Sequence, residues 1–121
     1  MKNTVMIKID GKDRELCYTI KNLAMLEKLI GKSITYLFSA GSAALVRQAD
    51  ISFTVAGLVT GLNLKNEDEA YDLIEAYCEA GDDLDRMNAH IIKAIVATGL
   101  FTRGTAPEKE TVPKDKEKEK E

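Results

Sequence analysis

The sequence predicts an α+β fold, mostly α: an N-terminal β-hairpin packed on a four- to five-helix array, with a disordered charged tail behind it. Three observations predict this. Residues 4–9 and 14–19 alternate apolar and polar side chains on either side of Asp10-Gly11. Helix caps and glycine stops then partition residues 19–102 into helical segments. From Arg103 onward, Pro107, Pro113 and a closing run of alternating Lys and Glu offer almost nothing to bury, so that segment cannot offset its ordering entropy. One globular domain is expected over 1–102 and a disordered tail over 103–121.

In the hairpin, Val5, Ile7 and Ile9 share one face while Met6 and Lys8 take the other. Asp10-Gly11 is a type I′ turn signal, because both central positions of that turn need positive φ. Leu16 and Tyr18 continue the apolar face in the second strand. A lone hairpin is marginal in water, so helices must cover that face.

Thr19 caps a helix predicted over 20–30, with Leu23, Leu26, Leu29 and Ile30 as its apolar stripe and Gly31 as its stop. Ser33 caps a shorter helix with Ile34, Leu37 and Phe38, and residues 42–48 are read as one or two further helical turns. Asp50 or Ser52 opens a helix to about 62 that is apolar nearly all round, which places it in the centre of the core or under a partner. Asn66 caps the next helix, with Glu69 as capping-box partner and Gly81 as stop. Asp82 or Asp83 opens the last, over about 84–102, with Met87, Ile91, Ile95 and Val96 as core candidates.

No chemistry-bearing motif survives inspection. Gly31-Lys32-Ser33 resembles the end of a phosphate loop, but position 26 is Leu where that loop needs Gly. His90 is the only histidine, and Cys17 and Cys78 stand apart from it at no metal-ligand spacing. Asp82, Asp83 and Asp85 lack the alternating ligands and central Gly of a calcium loop, and are explained by the helix N-terminus. No catalytic residue, metal site or cofactor is therefore expected, and the chain is read as non-enzymatic.

Charge is unevenly distributed. Residues 65–86 hold nine acids and two bases, whereas residues 1–64 hold eight bases and five acids. Such a dipolar chain suits a charged protein partner or head-to-tail contact between copies, and without a dense basic face no nucleic-acid binding is expected. The longest apolar stretch, from Ile51 to Leu64, is broken by Ser52, Thr54, Thr60 and Asn63. It falls short of the roughly 20 residues that a membrane span needs. A cytoplasmic protein with reduced thiols is expected.

Two sets of residues are candidates for partner binding. Leu37, Phe38, Leu45, Phe53, Val55, Leu58 and Leu62 are an apolar surplus able to form a groove for an amphipathic helix, or, on the plainer reading, simply the core. Asp68, Asp72, Glu75 and Glu79 recur at helical spacing as an acidic stripe, either a docking face for a basic partner or a solvated outer face. Gly57 and Gly61 mark a close helix approach, within the chain or to another subunit.

Three stretches together resemble a known family. They are Ile7-Lys8-Ile9-Asp10-Gly11-Lys12 with Tyr18 through Lys28; Val55-Ala56-Gly57-Leu58-Val59-Thr60-Gly61-Leu62; and Ala70 to Tyr77 with Ile91 through Phe101. In this order they resemble the tail assembly chaperones of long-tailed bacteriophages and the related small tail proteins of gene transfer agents. The resemblance implies a chaperone in the host bacterial cytoplasm that coats the tape-measure protein, recruits tail-tube subunits and self-associates. It assigns no residue roles. The alternative expectation is a structural tail component, a tube or joining protein, retained in the virion.

Overall fold

A computed structural model describes residues 4–40, 45 and 49–100. The fold class is the one predicted: among the described residues, a two-stranded antiparallel hairpin is followed by five α-helices of four residues or more. We label them β1 (Val5–Ile9), β2 (Lys12–Leu16), α1 (Ile20–Ile30), α2 (Ile34–Leu37), α3 (Ile51–Gly61), α4 (Glu67–Glu79) and α5 (Leu84–Ala97), with a 3₁₀ turn at Phe38–Ala40 after α2. The predicted turns at 42–48, Leu45 excepted, and the predicted tail at 103–121 lie outside the described residues.

The hairpin forms as its turn chemistry dictates. Asp10 and Gly11 have φ of 55° and 76°, both in the region that a type I′ turn requires. This two-residue loop sets Ile9 opposite Lys12 and Val5 opposite Leu16. The second strand accordingly runs over 12–16 rather than the predicted 14–19. It ends where the chain leaves β1: the Cys17 N–H donates to the Gly61 carbonyl of α3 at 3.0 Å. Ile7, Ile9 and Leu16 are buried on the inner face, and Tyr18 is buried beyond the strand end. Arg14 shares that face, and its Nε is buried without a hydrogen-bond partner.

Each longer helix starts at a side-chain oxygen. Thr19 accepts from the Asn22 N–H, Asp50 from Phe53, Asn66 from Glu69 and Asp83 from Arg86, so the alternatives left open at 50/52 and 82/83 resolve to Asp50 and Asp83. The capping box of α4 is displaced by one residue: the Glu69 carboxylate accepts from Lys65 N–H at 3.2 Å, not from Asn66. The short α2 draws on two elements. Ser33 Oγ accepts from Tyr36, and the Glu27 carboxylate of α1 accepts from the Ile34 N–H at 2.8 Å, tying α1 to α2. The last helix stops at Ala97, short of the predicted 102. Thr98 closes it by donating to Ile95 O, and Gly99 follows at φ 80°, where the chain turns out of helix.

α3 is the hub. It packs against α1, α4, α5 and β2, and Phe53 through Leu58, Thr60 and Gly61 are all buried. Its glycines permit the tightest approaches. A Cβ on Gly61 would lie 2.6 Å from the Tyr18 ring and hydroxyl and 2.9 Å from Leu16 Cδ2. A Cβ on Gly57 would lie 2.9 Å from Ile91 Cγ2 of α5. The Tyr18 hydroxyl donates to the Gly57 carbonyl at 2.7 Å. The polar groups of α3 are satisfied in the same way. Thr54 Oγ1 donates to the buried Asn88 Oδ1 on α5, and Thr60 Oγ1 donates to Ala56 O at 2.9 Å.

Gly61→Ala therefore costs about 1–3 kcal/mol of overpacking, against about 1 kcal/mol returned by helix propensity. Gly57→Ala meets only the Ile91 side chain and is closer to neutral. Urea unfolding is expected to rank Gly61→Ala as the less stable of the two. A second expectation concerns Tyr18, whose complete burial pushes its phenol far above the ordinary value. A raised folded-state pKa favours the folded state below the unfolded phenol's pKa, near 10, and that contribution fades as pH climbs beyond it. Stability should then fall by about 1.4 kcal/mol per pH unit above roughly pH 10. Tyr18→Phe should flatten this slope while losing about 1 kcal/mol at neutral pH. Denaturation at pH 8 to 11 measures both.

Candidate functional site

The apolar half of the expected partner-binding set is not on the surface. Phe38, Leu45, Phe53, Val55 and Leu58 are buried in the core, and Leu37 and Leu62 are half-buried and packed against it. These positions are those of core residues and their neighbours, and the physical reason is α3. A helix surrounded by α1, α4, α5 and β2 uses its whole apolar circumference inside the chain. A recess of about 90 Å³ remains between Leu37, Leu45 and Phe53, edged by Ile30, Lys32, Ala49, Asp50 and Ser52. That is room for about three waters, not for a helix.

The acidic half is where the helical spacing put it. Asp68, Asp72, Glu75 and Glu79 are all exposed on α4, opposite its buried Ala70 and Tyr77. Tyr71 stands among them, 46% exposed. Tyr71 was missing from the expected set, although its place between Asp68 and Asp72 on the outer face could have been read from the helical repeat.

The accessible apolar surface lies elsewhere, on α1. Met25 and Leu29 are 47% and 42% exposed. Together with Lys21 and Asn22 they form one wall of an open groove. Val59 and Thr60 of α3 and the linker residues Asn63, Leu64 and Lys65 form the other. Its volume is about 620 Å³, enough for several side chains rather than one small ligand. Leu29 was expected in the core stripe of α1. The stripe that is buried runs through Leu23 and Leu26, with Ile30 partly covered, and Leu29 sits at its edge. Met25 lies on the far side of the helix from Leu23, and an apolar residue two positions out of phase was the available signal.

The groove has a basic rim. Lys21 is exposed on the α1 wall and Lys65 across from it, and Lys28 is exposed on the same side of α1. Glu27, the acid of α1, is turned away and engaged at the start of α2. Among the described residues the one salt bridge is Arg86–Asp82 at 3.2 Å on the surface of α5, so these lysines are held by no carboxylate there.

Among the described residues, no group of three or more His, Cys, Asp or Glu is placed to hold a metal. His90 is half-buried on α5, and burial, reinforced by Lys93, lowers its pKa, favouring the neutral ring at pH 7. Cys17 is half-buried and Cys78 exposed, and both are free thiols. No described helix is long and apolar enough to cross a membrane. No protein-family model, curated protein or solved structure matches the chain.

Alanine substitution separates the two apolar sets. Leu58→Ala or Phe53→Ala should cost about 2–5 kcal/mol through the cavity left behind. Met25→Ala and Leu29→Ala, being exposed, should stay within about 1 kcal/mol of the parent. Urea denaturation of the four variants checks the ranking.

Proposed function

We propose that this chain is a protein-binding assembly factor, a tail assembly chaperone of a long-tailed bacteriophage. On this reading it holds the tape-measure protein soluble in the host cytoplasm and assists assembly of the tail tube around it. One observation carries the protein-binding part of the reading: the exposed Met25–Leu29 side of α1 and its groove against Val59 and Leu64. An open trough with apolar walls and a polar rim is the shape that takes the apolar face of an amphipathic helix. It lacks the enclosure of a small-molecule site. The tail-assembly part rests on the three stretches from Ile7 to Phe101 that resemble that family. The partners this implies are the tape-measure protein, the tail-tube protein and further copies of the chain.

The test is co-expression with the tape-measure protein of the same phage. The expected result is a tape-measure protein that stays soluble and co-elutes with the chain, and purified virions that lack the chain by mass spectrometry. Tape-measure protein that aggregates equally with and without the chain would overturn the proposal. Recovery of the chain from mature virions would instead assign it to the permanent structure of the tail.

A further inference from the structure

The α1 groove and the outer face of α4 are complementary to each other. On α1, Lys21 and Lys28 flank the exposed Met25 and Leu29, with Lys65 across the groove. At about 100° per residue these α1 side chains fall within one arc of about 100°. On α4, Asp68, Asp72, Glu75 and Glu79 flank the exposed Tyr71 within an arc of similar width. One face is apolar with a rim of cations, and the other is an aromatic anchor with a rim of anions. Within one molecule the described residues make no ion pair between these faces.

We propose that the α1 groove of one copy receives the α4 face of a second copy, seating Tyr71 against Met25 and Leu29 and setting the acidic stripe against the lysine rim. This rests on the reading of the groove as a helix-docking surface, and it names the occupant. Three physical arguments favour a second copy. A methionine and a leucine beside an aromatic ring give apolar burial and a sulfur–ring contact. The opposed rims steer the encounter and set its orientation. The acidic stripe also carries like charges at i, i+4 spacing, which strain α4 by roughly 0.2–0.5 kcal/mol per pair when isolated and are relieved by facing lysines. The proposed contact runs one way, with the groove of one copy on the α4 face of the next, and is therefore heterologous. Each joined pair keeps one free groove and one free α4 face, so further copies add head to tail, as an open row or a closed ring.

The experiment uses the full chain and two surface variants. Met25→Asp with Leu29→Asp blocks the groove and leaves α4 intact. Tyr71→Ala with Asp72→Lys blocks the α4 face and leaves the groove intact. All four positions are exposed, and circular dichroism with a thermal melt confirms that each variant is folded. A variant that fails this check is replaced by Lys21→Glu with Lys28→Glu for the groove, or by Glu75→Lys with Glu79→Lys for α4. Sedimentation velocity is run over roughly 0.05–1 mM, where small transient contacts are populated. The parent chain is expected to form a concentration-dependent series of species. Raising the ionic strength from about 0.01 to 1 M shortens the screening length from about 30 to 3 Å and should weaken association at least tenfold. Each variant alone should remain monomeric. A 1:1 mixture of the two should give a heterodimer and nothing larger, because it contains one intact groove and one intact α4 face. A monomeric parent at low salt, a variant that associates like the parent, or a mixture that stays monomeric would each overturn the proposal. Co-purification with the tape-measure protein is read separately, so loss of this contact and loss of the chaperone reading are distinguishable.

Discussion

Burying a helix on all sides imposes a severe constraint, and the rest of this molecule is arranged around it. Every apolar side chain on α3 needs a neighbour, and every polar group on it needs a partner away from water. Gly57 and Gly61 meet the first demand by letting α5 and the end of the hairpin approach the α3 backbone itself. Tyr18 meets both at once: its ring fills the space beside Gly61 and its hydroxyl bonds the Gly57 carbonyl. The Cys17 N–H takes the Gly61 carbonyl, one of the helix-end acceptors that would otherwise be unsatisfied. The hairpin is thus joined to α3 by main-chain and side-chain bonds as well as by apolar contact. That is how so short a sheet is held in place.

This arrangement explains which features were legible in the sequence. Asp10-Gly11, the caps at Thr19 and Asn66, and the stop after α1 are local. Each is decided by the backbone preferences of a few adjacent residues, and each reads directly. That α3 is covered on all sides was legible too, since no amphipathic stripe divides it, but whether by its own core or by a partner was not. What could not be read was the use of that apolarity. A run such as Phe53, Val55 and Leu58 looks the same whether its partners are in the same chain or another. The answer depends on Tyr18, Ile91 and Leu16 arriving from distant parts of the sequence. The end of the last helix escaped for a related reason. Ala97 to Phe101 is apolar enough to continue a helix, and Thr98 with Gly99 ends it through local bonding that competes with helix.

The groove shows the same asymmetry. Met25 and Leu29 are four residues apart, a spacing that normally adds to a core stripe. Here the core side of α1 is already occupied by Leu23 and Leu26, so the second pair is left outside. Distinguishing the two pairs requires knowing where α3 lies. The acidic stripe was simpler to place, because a helix with Ala70 and Tyr77 inward can point Asp68, Asp72 and Glu75 nowhere but out.

The two outer faces are hard to account for as ordinary solvated surface. Scattered single apolar residues on a surface need no explanation, but Met25 and Leu29 are paired and line a concave wall. Mixed charges on a helix surface stabilise it, whereas α1 and α4 each present one sign outward and forgo that support. Either departure alone is unremarkable. Together they place a cation-rimmed apolar groove and an anion-rimmed aromatic on separate helices that both pack on α3. Segregation of this kind offers nothing to the isolated fold, since its benefit arises only when opposite faces meet. A surface devoted to protein contact accounts for both features with one assumption.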